Sequence, residues 1–398
     1  MNSKWENDEV VQRFREYLRI PSVHPDINYG DCVKFLKKQA SLLDLPVFVK
    51  EFVPKKPVVV MTWEGLQPEL PSILLNSHMD VVPVNEEKWT YPPFDAVLTD
   101  DGYIYARGTQ DMKSVGMMHL EAIRRLKDAG VRLKRTVHVS FVPDEEIGGV
   151  DGMGAFSESP EFKQLNLGFA IDESAPNLHP TEIIAFHGER TSRQIIVTCR
   201  GEPGHGSLLR SGTAGEKLHY IIDKFMTLRA EEKTKAVEDV WNGDVTSINL
   251  TQIWGGVQIN VLPETLSVSF DIRIAPDVDH DEFERMISRW CEEAGEGVSF
   301  EYIVKNPQVK STKIDGSVPF WTVMKKVVAD MGFSVRCVVC PGATDIRYVR
   351  RQGIPGISFS PLMDSPMLLH SHDEKIHIDV FMTGINVTEK VVQAVANV

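Results

Sequence analysis

A chain of 398 residues with 43 basic and 56 acidic side chains carries a formal charge of −13, and with no basic stripe to meet phosphates it excludes nucleic acid as the expected partner. An apolar content of 42% with 25% charged residues excludes fibrous and low-complexity classes and suits a globular chain of two or three domains. The opening Met-Asn-Ser-Lys-Trp-Glu-Asn-Asp-Glu has acids where a signal or transit peptide carries an apolar core or arginines. No apolar run reaches the ~18 residues of a membrane helix. The five cysteines, at 32, 199, 291, 337 and 340, are too few and irregular for a disulfide framework. A cytoplasmic protein with no membrane partner is expected.

Helical spacing marks residues 8–18 and 31–44. Ile73-Leu74-Leu75 reads as a short buried strand running into Asn76-Ser77-His78-Met79-Asp80. Val115, Met118, Ala122 and Leu126 predict a helix that Gly130 ends. Residues 136–142 alternate at period two and stop at Pro143-Asp144-Glu145-Glu146, and residues 167–171 form a strand stopping at Asp172-Glu173. Strands alternating with helices predict an α/β fold with a mostly parallel sheet. Near residue 187 the pattern changes to a strand at 194–198, a helix at 213–229, strands at 246–253 and 264–274, and a helix at 279–294. A helix at 319–331, apolar strands at 335–339 and 357–359, and a closing helix at 378–396 follow. The expected organisation is one α/β domain from residues 1–186 and 305–398, with a smaller α+β domain, 187–304, inserted.

The chemistry gathers at strand ends. His78-x-Asp80, Asp144-Glu145-Glu146 and Asp172-Glu173 each follow a strand, and Asp111 opens a helix after Tyr105-Ala106-Arg107-Gly108-Thr109. In open α/β sheets the site lies at the carboxyl ends of the strands, so these groups should converge. A further candidate is His370-Ser371-His372-Asp373-Glu374. A lone acid on such a loop is ordinarily just solvated; the repetition points to a site, and imidazoles with carboxylates make the mixed N/O set that zinc accepts. Ser207 has no evident base and no Gly-x-Ser-x-Gly elbow is present, which disfavours a serine hydrolase. Cys337-x-x-Cys340, a single pair in an apolar strand, reads as two buried thiols. His24, His119, His138, His179, His219 and His280 read as surface or packing residues, Met117-Met118 as core filler, and the charged run 229–239 as a solvated helix end or loop.

His78-Met79-Asp80-Val81-Val82-Pro83, residues 89–94 (Trp-Thr-Tyr-Pro-Pro-Phe), residues 105–113 around Asp111, and Asp144-Glu145-Glu146-Ile147-Gly148-Gly149 resemble the M20 family of zinc-dependent amidohydrolases and peptidases. Gly204-His205-Gly206-Ser207, Gly342-Ala343-Thr344-Asp345 and residues 368–374 match the same family, in family order, from about residue 8 to the end. The resemblance implies a zinc-peptidase-like catalytic domain with an inserted lid that also dimerises. It implies two zinc ions held by His78, Asp111, Glu146, Glu173 and His370, with Asp111 bridging and the bond Asp111-Met112 cis. His370 is preferred to His372 because His370 and Glu374 satisfy the family spacing His-x-x-x-Glu.

By the same resemblance, Asp80 hydrogen-bonds the second ring nitrogen of His78, Glu145 is the general base, and His205 steadies the oxyanion, reaching it from the other subunit of a homodimer. Asn260 and Arg273 would hold a substrate α-carboxylate, with Arg347 a further candidate. On the strand 267–274, Val268, Phe270, Ile272 and Ile274 alternate inward and leave Asp271 and Arg273 together on the other face, so Arg273 has an ion pair with Asp271 as its simpler alternative. The activity implied is hydrolysis of N-acyl-L-amino acids, with a dipeptidase or another acyl-amino-acid deacylase as runner-up. A non-catalytic binding protein on this fold has no reason to keep Glu145, and a di-metal phosphoesterase lacks its phosphate loop here.

Overall fold

The computed structural model describes residues 5–236 and 243–398. They form two compact units, Met1–His187 with Thr312–Cys337 and Thr344–Val398, and Gly188–Ser311 with Val338–Ala343.

The first unit is built on an eight-stranded sheet. Its order is Val47–Val53, Lys56–Trp63, Val137–Val142, Ser72–His78, Leu167–Asp172, Gly356–Phe359, Glu182–Glu189 and Ser334–Cys340. Ser72–His78 lies at the centre, parallel to both neighbours, and Gly356–Phe359 extends the parallel run. The hairpin of the first two strands and the strand Glu182–Glu189 add antiparallel pairs on either side. Every residue of Ser72–His78 and of Val137–Val142 is buried, as expected of strands covered on both faces. The helix Lys113–Asp128 packs against the closing helix Ile378–Val395. It ends where Gly130, at φ +71°, donates to the Lys127 carbonyl while Val131 donates to that of Leu126, the paired bonds of a left-handed cap. Met117 and Met118 are fully buried in this core. The hairpin 47–63 turns at Pro54-Lys55, with Lys55 at φ +65° in a position that glycine or asparagine more often fills.

The second unit has a four-stranded antiparallel sheet in the order Ser247–Gly255, Thr265–Ile274, Thr191–Arg200, Val298–Lys305. Helices Ala214–Lys235 and His280–Ala294 contribute to its core, with Phe225 stacked on Phe270 at 4.1 Å and edge-on to Trp290. Val268, Phe270, Ile272 and Ile274 are buried on one sheet face. Thr213 and Glu216 form a capping box at the start of the first helix, which stabilises that end by satisfying two orphan donors. The helix runs to Lys235, past the expected 229; of the charged run, residues 237–239 lie outside the described residues. Sequence reading missed Val298–Lys305, although Val298, Phe300, Tyr302 and Val304 alternate at period two. The unit continues beyond 304 because Gln308 ties back to the Pro276 carbonyl, and it takes in Val338–Ala343 because Arg190 donates to the Cys340 and Pro341 carbonyls. All five cysteines are free thiols.

Candidate metal centre

His78 closes the central strand and is 1% exposed. Its Nδ1 lies 2.9 Å from the backbone carbonyl of Asp80, an acceptor only, so Nδ1 carries the proton. Its Nε2 then faces two carboxylates, Asp111 Oδ1 at 3.0 Å and Glu173 Oε1 at 3.4 Å. The second oxygen of Asp111 faces the other imidazole: Oδ2 is 3.1 Å from His370 Nε2, which is 3.0 Å from Glu146 Oε2. Asp111 thus divides its oxygens between two half-sites, and the Asp111-Met112 bond is cis. Candidate ligand atoms of His78, Asp111 and Glu146 lie within 4.8 Å of one another, as do those of His78, Glu145 and Glu173.

The electrostatics call for a cation. Imidazole lone pairs cannot face carboxylate oxygens at these distances without a proton or metal between them. Burial opposes a charge on His78, yet Glu173, Asp111 and Asp80 push its pKa well above the ordinary value. Hydrogen bonds to Asp111 and Glu146 push His370 up to about 10. Burial also opposes ionisation of Asp111, but the two imidazoles hold it far below the usual carboxylate range. Burial and the Asp111 charge raise Glu146 and Glu173, and Glu146 Oε1 is buried with no hydrogen-bond partner. Two imidazole nitrogens and three carboxylates fit a divalent cation of the zinc type, whose binding displaces the protons.

Asp80 departs from its expected role. Its backbone, not its carboxylate, takes the His78 proton; Oδ1 is 3.6 Å from Nδ1. The carboxylate instead accepts from the amides of Glu145 (3.2 Å) and Glu146 (3.0 Å) and meets His24 Nε2 at 2.8 Å. Despite burial, these bonds and His78 hold it well below the usual range. His24 is a packed histidine and not a surface one: its side chain is 8% exposed and lies against Asp80. The Val23–Val81 bridge and the bond from His24 N to the Val81 carbonyl bring its loop alongside.

The loop carrying Glu145 is braced at both ends. Asp144 sits at φ +64° and is held by Tyr29 Oη, which donates at 2.6 Å, and by Lys56 at 2.5 Å. At the other end a Cβ on Gly149, φ +63°, would fall 2.2 Å from Asp345 Oδ1, so only glycine fits. Arg347 donates to the carbonyls of Gly148 (2.6 Å) and Thr344 (2.8 Å), bracing this loop. Glu145 is pushed well above the usual carboxylate range by burial and by Glu173, Asp345 and Glu146.

The remaining candidates lie in the other unit. Gly204–His205 pairs with Val261–Leu262, and Gly206 N donates to the carbonyl of Asn260 in the turn just before that strand, so the exposed His205 and Asn260 lie close together. The Ser207 amide donates to His205 Nδ1, which leaves Nε2 of the neutral ring as the donor. Arg273 makes its simpler bond, a bidentate pair with Asp271 at 2.8 and 3.0 Å. His24, Tyr29 and Lys56 hold Asp80 and Asp144, contacts that the sequence does not announce. None of the three lies in a motif, and their partners lie far away in the chain.

The sequence profile of Peptidase family M20/M25/M40 matches residues 74–394. Mouse aminoacylase-1 is 46% identical over 391 residues, covering 98% of this chain and 95% of that protein. Human aminoacylase-1 is 45% identical over 405 residues, covering 100% and 98%. Among solved structures, an M20 family metallo-carboxypeptidase from Sulfolobus solfataricus superposes with a TM-score of 0.72 at 18% identity, covering 98% of this chain and 99% of that one. A dipeptidase from Saccharomyces cerevisiae gives 0.67 at 17% identity, covering 98% and 96%. These two share the fold.

Proposed function

The chain belongs to peptidase family M20/M25/M40, and from that membership we propose that it is a metal-dependent amidohydrolase that cleaves N-acyl-L-amino acids to a carboxylate and a free L-amino acid. The observation that carries this reading is Asp111, whose two oxygens face two separate imidazole–carboxylate sets. Zinc would be the metal, two ions per subunit, with His78, Glu173 and Asp111 as the residues that would hold one and Asp111, Glu146 and His370 those that would hold the other.

Bound zinc lowers the pKa of a water from ~16 to ~7 and polarises a carbonyl oxygen. Glu145 takes the water proton on its carboxylate and returns it to the leaving amine nitrogen, a contribution of ~10²–10⁴ in rate. His205 donates from Nε2 to the carbonyl oxygen as charge develops there; a donor of this kind contributes ~3–4 kcal/mol. Asn260 and Arg273 hold the α-carboxylate, a task that suits a guanidinium fork. Asp271 sets that fork through Nε and Nη2.

The exposed Ile253 and Trp254 on the edge strand Ser247–Gly255, with exposed Val257, Ile259, Leu208 and Leu209, support a homodimer formed through this unit. In it His205 serves the site of the partner subunit. No helix among the described residues is long and apolar enough to cross a membrane, and the free thiols suit a cytoplasmic setting.

A panel of N-acetyl-L-amino acids and dipeptides, with and without chelator, tests the function. N-acetyl amino acids should be turned over fastest, chelation should abolish turnover, and zinc should restore it. Chelator-resistant activity, or turnover of dipeptides alone, would overturn the reading.

Arg273→Ala should raise KM by about 10-fold or more with a smaller change in kcat, because a clamp on a remote carboxylate acts in ground and transition states alike. N-acyl amino acid amides, lacking the carboxylate, should already be poor substrates. Equal turnover of amide and acid by the parent protein would remove the clamp.

A further inference from the structure

We propose that Gln110 and Glu374 form a reciprocal clasp, positioning residues that set the metal affinity of the His370 half-site. The inference rests on the metal reading above and concerns groups that touch neither ion. Glu374 is 0% exposed, and its carboxylate is given over to the loop that carries Asp111. Oε1 accepts from the amides of Gln110 (2.6 Å) and Asp111 (3.2 Å), and Oε2 from Gly108 N (3.1 Å) and Arg107 Nη1 (2.7 Å). Gln110 returns the grip on the loop that carries His370. Its Oε1 accepts from Leu368 N at 2.9 Å, and its Nε2 donates to the carbonyls of Pro366 (3.0 Å) and Lys375 (2.9 Å).

The two half-sites differ in what holds them. His78 and Glu173 stand at the ends of central, buried parallel strands. His370 stands on an irregular loop, at φ +59° with its side chain 55% exposed. Gln110 binds that loop on both sides of His370, while Glu374 fixes the amide of Asp111, whose Oδ2 faces His370. One side chain from each loop therefore determines how closely Asp111 and His370 approach. Supports one shell away from a metal typically alter its affinity 10–100-fold.

The test uses the full-length protein and zinc alone. Gln110→Ala, Gln110→Glu and Glu374→Gln are compared with the parent and with His370→Ala, which marks the His370 ion. Zinc affinities are resolved by competition with a chromophoric chelator, and melting temperature is measured on metal-free protein. The expected result is a 10–100-fold weakening of the ion that His370→Ala deletes, with the other changed less than about threefold. Gln110→Glu, which keeps the shape but loses both Nε2 donors, should match or exceed Gln110→Ala. Should Glu374→Gln fail to fold, the Gln110 pair decides alone. Equal weakening of both ions, or a lower metal-free melting temperature with both affinities intact, would reduce the pair to a structural brace and overturn the clasp. A parent protein that binds no zinc would instead overturn the metal reading beneath it.

Discussion

Glu145→Gln protein is expected to hold zinc at the parental stoichiometry and to hydrolyse N-acyl amino acids at least ~10²-fold more slowly. Glu145 and Glu146 are neighbours on one tight turn with separate surroundings. Glu146 lies 3.0 Å from His370 and belongs to the ligand set. Glu145 has its amide held by Asp80, and its carboxylate lies near His78 and Glu173 without pairing to His370. In the metal-free protein, burial and three carboxylates keep Glu145 inclined to hold a proton. A neighbouring divalent cation opposes that bias, leaving a carboxylate able to accept a proton and release it. The amide of glutamine keeps the shape and can do neither. Metal content and kcat measured on one preparation decide the matter. Loss of zinc makes Glu145 a ligand, an outcome its distance from His78 and Glu173 permits, and retained turnover places the base elsewhere.

What was legible beforehand follows from how each signal is carried. His78, Glu146 and Glu173 were visible because apolar strands run directly into them, and strand ends converge in a parallel sheet. The inward set Val268, Phe270, Ile272 and Ile274 was visible through period two, and so was the pairing of Asp271 with Arg273. The part played by Asp80 was not, because its backbone carbonyl competes with its carboxylate for the same imidazole proton, and only the local turn decides between them. His24 reads as an ordinary packing histidine because nothing in its own neighbourhood announces Asp80. The hairpin turns at Pro54-Lys55 without the glycine or asparagine that usually marks the left-handed position, whereas Val298–Lys305 carries a legible period-two alternation of Val298, Phe300, Tyr302 and Val304. Glu374 was visible as a motif letter, but its function is exercised on backbone amides at 108–111, which have no side-chain signature at all.

Mixing two inactive homodimers is expected to restore activity. His205 lies in the unit Gly188–Ser311, whereas the five proposed ligands and Glu145 lie in the other. If each site takes Glu145 from one subunit and His205 from its partner, Glu145→Gln and His205→Ala homodimers each carry one defect in both sites. In a mixed dimer the defects segregate: one site receives both, and the other receives an intact Glu145 and an intact His205. Random re-association of equal amounts yields about half mixed dimers with one good site of two, so about a quarter of parental activity should return in a symmetric two-site dimer. A His205 that served its own subunit would leave one defect in every mixed site, and mixing would then restore nothing. Exchange is verified first with differently tagged subunits, so that a null result condemns the trans arrangement rather than the mixing. The exposed apolar edge at Ile253 and Trp254 supplies an independent check. Charged residues at both positions should yield monomers, and such monomers should lose turnover while keeping their zinc, because all five proposed ligands come from one chain. Fully active monomers would end the proposal.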